Sequence, residues 1–164
     1  MPVATHYIAD DQGRPCIAEA RITVVGPQAG GTAPSVPNNA VHGHRGNQHP
    51  YHHERGHLIG RQLGGDGGDP RNLVGLSDGT NAPLMTDIEN ECRVIIEANP
   101  GATLILRVTV DWSAAYYDAP QAAPHDGNMV GSILVQIMDL DSAVIFERRY
   151  PNGVVNNHHV AGCC

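Results

Sequence analysis

Lysine is absent from the 164-residue sequence: all ten basic residues are arginine, against 17 acidic ones, for a net charge of -7. A passive nucleic-acid binder is usually basic, because its affinity comes from neutralising phosphates. The overall charge therefore excludes binding through a broad cationic surface. No run of 18 apolar residues occurs, which excludes a membrane-spanning helix and argues for no membrane partner. The N-terminus lacks a basic-then-apolar segment, so no signal peptide is read and export would need another carrier. The four cysteines form no Cys-x-x-Cys pair, which excludes a zinc knuckle or a dithiol redox motif. Cys16 and Cys92 read as small buried residues, with a disulfide between them left open, and Cys163 and Cys164 as part of a tail.

What is present describes one globular domain spanning 1–164. Leu, Ile, Val and Phe make up about 22% of the chain, just above the level at which disorder is the default. With 19 Gly and 12 Pro, the core is expected to be modest and the loops long. Charge is uneven. Residues 42–71 hold four arginines (Arg45, Arg55, Arg61, Arg71), three acids (Glu54, Asp66, Asp69) and six of the ten histidines, leaving -8 for the rest. A polyanion site is expected in that window, with a divalent cation supplying further positive charge.

Residues 5–9 and 14–25 read as strands joined by a turn at Asp11-Gln12-Gly13. Residues 26–50 have no apolar period and read as a long loop. Residues 54–76 are short pieces punctuated by glycine. Leu84, Met85, Ile88, Cys92, Ile95 and Ile96 share one face of a helix over 84–98. Thr86-x-x-Glu89 reads as its capping box, and Asn99-Pro100-Gly101 stops it. Strands follow at 103–112, 130–139 and 143–149, the last two joined at Asp139-Leu140-Asp141-Ser142. Residues 113–128 read as loop and 151–164 as a flexible tail. The expected class is α+β, with an antiparallel sheet and one main helix.

Two chemistries compete for the histidine cluster. His53-Glu54-Arg55-Gly56-His57 spells H-E-x-x-H, the zinc metallopeptidase motif. That motif needs a helix, so that histidines four apart share a face. Here Gly56 and Gly60 interrupt any helix, at about 1 kcal/mol each. Position 63, where the extended motif has its third ligand, is a leucine. A non-catalytic His-rich metal-binding domain is the third alternative.

The longer pattern is Glu54-Arg55-Gly56-His57-Leu58-Ile59-Gly60-Arg61-Gln62-Leu63-Gly64-Gly65. Asn72-Leu73-Val74 follows, then Asn81 nine residues after Asn72, and Glu89 eight further on. Together these blocks resemble the DNA/RNA non-specific endonucleases of the ββα-metal class, especially a bacterial toxin-type subgroup with an R-G-H-L-I core. The resemblance covers roughly residues 14–112. It implies a ββα-metal finger at about 54–98 embedded in the sheet, in which a strand delivers the histidine and a helix the asparagine and glutamate. Two positions depart from the pattern. Glu54 stands where Asp is usual, and Gly75-Leu76 where Pro and a polar residue are usual.

The resemblance assigns roles residue by residue. His57 would be the general base, since a neutral imidazole accepts a proton from water near pH 7. Asn81 would hold Mg²⁺ through its amide oxygen, Mn²⁺ substituting, because a hard cation with one protein ligand takes its other oxygens from water and phosphate. Glu89 would order the waters of that cation, though a capping box explains it without chemistry. Arg55 would steady a phosphate with its planar fork, with Arg61, and Arg71 more remotely, as backbone-phosphate contacts. Glu54 is read as structural, orienting Arg55 or the motif backbone, and Asn72 as bonding the loop beside the finger. His42, His44, His52 and His53 read as ordinary surface or core residues. The implied function is a metal-dependent endonuclease cutting DNA and/or RNA with little sequence preference. The implied setting is secretion, or delivery into a target cell within a larger toxin or effector, with a cognate immunity protein as partner.

Overall fold

The computed structural model describes residues 2–23, 34–46, 52–112 and 129–154. The strand-forming stretches build one antiparallel sheet of five strands in the order β1 (Pro2–Ala9), β2 (Pro15–Thr23), β5 (Thr103–Asp111), β6 (Ser132–Met138) and β7 (Val144–Pro151). A separate two-stranded antiparallel hairpin pairs β3 (His53–His57) with β4 (Leu73–Ser77). The α+β class expected from the sequence is the one observed.

Alternation explains the large sheet. In β5, Leu104, Leu106, Val108 and Val110 are buried, while Arg107 and Thr109 point the other way, as a period of two requires. Ala18, Ala20 and Ile22 of β2 and Ile133, Val135 and Ile137 of β6 continue the same inner face. Helix α1 (Thr86–Glu97) closes that face through Ile88, Cys92 and Ile96, spaced four apart and all buried. On the outer face the register sets Glu19 opposite Arg107, and their side chains pair at 2.9 Å. The Trp112 indole donates to the Pro15 carbonyl at 2.8 Å, tying the end of β5 to the start of β2.

Three readings need revising. The capping box does not form: Met85 and Thr86 both have helical backbone angles, and no side chain caps α1. A helical turn, Thr80–Met85, runs straight into the helix after a break at Ala82 (φ -151°, ψ 125°), where the following proline disfavours helical geometry. The glycine-punctuated stretch 54–76 holds two strands, whose period is masked because every residue of β4 is buried. Residues 151–154 are not a tail. Asn152 is 1% exposed, accepts from the Ser77 backbone N–H at 2.9 Å and donates to the Val130 carbonyl at 3.0 Å. Residues 155–164, including Cys163 and Cys164, lie outside the described residues. Cys16 and Cys92 are free thiols as read, Cys92 buried but Cys16 only part-buried.

Candidate active site

The hairpin, the Thr80–Met85 turn and α1 assemble the motif residues. Gly56 sits at the centre. It is buried in β3, and a Cβ there would strike the Leu76 side chain and come within 3.2 Å of the Asn81 Oδ1. A side chain at position 56 would thus fill the space in front of the Asn81 amide oxygen. On the other side of that amide, Nδ2 donates to Glu54 Oε2 at 2.7 Å. Glu54 therefore contacts Asn81, rather than Arg55 or the motif backbone. The amide oxygen is the part left facing the Gly56 cradle, and an amide oxygen is a donor that a hard cation accepts. The site thus fits a divalent cation held by Asn81.

Arg55 points into a pocket of about 290 Å³ whose lining includes Glu54, Asn81, Asn38, His44 and His53. Its guanidinium donates one hydrogen bond, Nη1 to the Val36 carbonyl at 2.8 Å. A planar fork has five donors, so one bond anchors the group and leaves others for an anion. Residues 34–46, part of the expected long loop, pack along the hairpin. The Gly75 N–H donates to the His42 carbonyl and the His53 N–H to the Gly46 carbonyl, each at 2.8 Å. This accounts for the Gly75 departure. A proline has no N–H to donate, and any Cβ at position 75 would strike the backbone of Gly43 and His44. Leu76 is fully buried against Gly56, where a polar side chain would lack a partner.

His57 ends β3, opposite Leu73, and lines a second pocket of about 380 Å³ with Gly60, Arg61, Gln62 and Glu89. Only Gly56 separates His57 from Arg55 along the strand, so the two pockets flank one residue. Glu89 reaches this pocket from the first turns of α1, and its carboxylate lies against the Gly60 Cα. Burial pushes the Glu89 carboxyl up to about 7, opposed by a hydrogen bond from Gln62. Relieved of the capping role, Glu89 is a half-buried carboxyl facing the histidine pocket. Sequence reasoning passed over Gln62, which has no motif around it; its amide lies between Glu89 and Asn90. Asn38, and His44 read above as an ordinary residue, also line the Arg55 pocket, and nothing local in the sequence couples them to Arg55.

The remaining residues fall into place around this pair of pockets. Asn72 is fully buried. Its Oδ1 accepts from the Ile59 N–H at 2.9 Å, and its Nδ2 donates to the carbonyls of Ile59 and Asp66. It brackets the loop that follows His57. Arg61 is exposed at the rim of the His57 pocket. Arg71 is not brought to the site: it pairs with Asp69 at 2.7 Å and lies over the Tyr7 ring at 5.5 Å.

The zinc-peptidase reading is overturned. Its motif lies on β3, not on a helix. Four residues of strand separate two Cα atoms by about 13 Å, too far for both imidazoles to bind one ion at about 2 Å. His53 is also fully buried, and its Nδ1 accepts from the Arg45 N–H at 2.8 Å. Burial holds its imidazole down to about 3, with His44 and Arg45 acting in the same direction. Among the described residues no three His, Cys, Asp or Glu side chains gather to hold a metal ion. A metal here would rest on amide oxygen rather than on a histidine cluster.

Comparison with known proteins bears on the family and the fold. A family model described as DNA/RNA non-specific endonuclease matches residues 3–122. The fold is similar to NucA from Streptococcus agalactiae solved with no metal bound, at 16% identity and a TM-score of 0.63, over 92% of this chain and 71% of that one. The same nuclease with a magnesium ion bound aligns at 18% identity and a TM-score of 0.59, over 94% and 73%. An extracellular endonuclease aligns at 17% and 0.54, over 94% and 81%. Sda1 nuclease with a bound zinc ion aligns at 17% and 0.56, over 95% and 77%. No curated protein sequence matches the chain.

Proposed function

The chain belongs to the DNA/RNA non-specific endonuclease family, and we propose that it hydrolyses phosphodiester bonds with His57 as general base and one Mg²⁺ held through Asn81. The single observation that carries the proposal is the pair of pockets on either side of Gly56 along β3, one lined by Arg55 and Asn81 and the other by His57 and Glu89. Each supplies a different need of the reaction: a proton acceptor, a fork for phosphate oxygens, a cation ligand and a carboxyl that holds water.

The neutral His57 imidazole takes the proton of the attacking water. Arg55, anchored on the Val36 carbonyl, binds a phosphate oxygen and fixes the phosphorus against that water. Arg61, at the rim, meets the neighbouring phosphate. Glu89 accepts hydrogen bonds from water in the His57 pocket and keeps it oriented. A divalent cation held by Asn81 would supply charge stabilisation for the phosphoryl group and the leaving oxygen. Mn²⁺ substitutes, having similar preference for oxygen ligands. None of these groups reads a base edge, so cleavage of DNA and/or RNA would carry little sequence preference.

The proposed setting is secretion or delivery into a target cell as a toxin or effector domain, with a cognate immunity protein. The R-G-H-L-I core and the extracellular endonuclease among the similar folds support it. The test incubates supercoiled plasmid and structured RNA with the protein, with Mg²⁺ or with a chelator, beside a casein digest. Metal-dependent nicking of nucleic acid with intact casein is expected. Chelator-resistant cutting, or casein digestion, would overturn the reading.

A further inference from the structure

We propose that Glu54 is a positioning residue that decides which end of the Asn81 amide meets the cation. The inference deepens the metal reading above and rests on it. An asparagine side chain has two ends of nearly equal shape, and the torsion that exchanges them is soft and two-fold. One end is an oxygen that binds a cation; the other is an NH₂ group that repels it. A carboxylate only accepts hydrogen bonds, so Glu54 Oε2, at 2.7 Å from Asn81 Nδ2, selects the NH₂ end. The oxygen is thereby turned away from Glu54, toward the space beside Gly56. Strand alternation sets up the arrangement, because residues 54 and 56 lie on one side of β3 and both meet Asn81. The carboxylate also polarises the amide, which raises the negative charge on its oxygen.

The length of Glu54 follows from this contact. An aspartate at position 54 would withdraw the carboxylate by about one carbon–carbon bond, ~1.5 Å, and a 2.7 Å hydrogen bond does not survive that. Restoring the residue usual in the family pattern would therefore harm this chain. Asn81 and Glu54 are matched as a pair.

The test measures Mn²⁺ binding to the whole chain by calorimetry, without nucleic acid, for the wild type and for Glu54→Gln, Glu54→Ala, Glu54→Asp and Asn81→Ala. Outer-shell partners of metal ligands typically contribute 10–100-fold in affinity. Glu54→Ala and Glu54→Asp should weaken Mn²⁺ within that range. Glu54→Gln keeps an oxygen that accepts from Asn81, so it should lose least. In ¹⁵N-resolved spectra of the metal-free protein, the Asn81 side-chain amide signals should move further in Glu54→Ala, which loses the acceptor, than in Glu54→Gln, which keeps a neutral one. If Glu54→Ala fails to fold, the contrast between Glu54→Asp and Glu54→Gln decides. Aspartate binding Mn²⁺ like the wild type, or glutamine losing as much as aspartate or alanine, would overturn the positioning role. Weak binding in Asn81→Ala beside unchanged binding in Glu54→Ala would overturn this inference alone. Wild-type binding in Asn81→Ala would instead remove the metal reading beneath it.

Discussion

The Glu89 carboxylate lies against the Cα of Gly60, in the place a Cβ would occupy. Gly60 has φ -67° and ψ 160°, angles any residue adopts, so the backbone does not demand glycine there. The carboxylate does. An α-helix and the loop after β3 approach closely enough to bring Glu89 beside His57 only because position 60 has no side chain.

Gly60→Ala should therefore be a selective lesion. The obstructed atoms are the far end of a flexible side chain, so Glu89 can swing aside at small cost, and stability should stay within about 1 kcal/mol of wild type. A displacement of about 1 Å in a catalytic arrangement costs on the order of 100-fold in rate. Melting temperature and plasmid-nicking rate, measured on the same preparation, check both halves. Equal loss of both, or of neither, would show that the contact is not functional.

Glu89 should leave a signature in the pH dependence of stability. Its carboxyl is raised by burial from an ordinary 4.5 to about 7 in the folded state. Between those values the native chain holds a proton that the unfolded chain has released, so stability falls as pH rises through that window. Below about 4.5 the penalty is absent; above about 7 it is complete. Glu89→Gln removes the ionisation. In chelator, the variant should match wild type at pH 4.5 and exceed it at pH 8 by roughly 1–3 kcal/mol, while nuclease activity is lost. Parallel urea midpoints for the two proteins at both pH values would refute the assignment.

The two motif histidines should separate cleanly. His57→Ala should cut activity by about 10²–10⁴ with little change in folding. His53→Asn keeps an acceptor near the Arg45 N–H and should cleave at close to the wild-type rate per folded molecule. It should also change acid stability. Burial holds His53 down to about 3 when folded, so its contribution is complete above about 6.5 and is lost as pH falls toward 3. The variant should lose less stability than wild type between pH 6.5 and 4. Inactivity of folded His53→Asn would speak against the nuclease assignment.

Salt should affect substrate binding only moderately. With no lysine and a net charge of -7, binding rests on a few arginines and the cation. Each neutralised phosphate contributes about -0.9 to the slope of log affinity against log salt, so a slope of roughly -2 to -4 is expected on duplex DNA. Fluorescence anisotropy with the His57→Ala variant, with and without Ca²⁺, measures it, and the cation should tighten binding. Tight metal-free binding with a steep slope would reveal a basic surface absent from this account.

The order of elements and the motif blocks could be read along the chain because their signals are local. A period of two marks β2, β5 and β6, and Ile88, Cys92 and Ile96 recur every four residues on α1. The candidate roles of His57, Asn81 and Glu89 rest on the resemblance of their motif blocks to the endonuclease family, and those blocks are contiguous in sequence. The same local signals misread Thr86-x-x-Glu89 as a capping box, since they carry no information that Pro83 had already restarted the helix upstream. They also could not separate His53 from His57, two imidazoles in one five-residue strand. Packing by residues 34–46 buries the first, while the second ends the strand at a pocket. The contact of Glu54 with Asn81, 27 residues away, and the burial of Glu89 among side chains of β5, β6 and β7 likewise exist only after folding. Spacing fixes which side chains share an element; burial and hydrogen-bond partnership depend on segments that meet only when the hydrophobic core brings distant parts of the chain together.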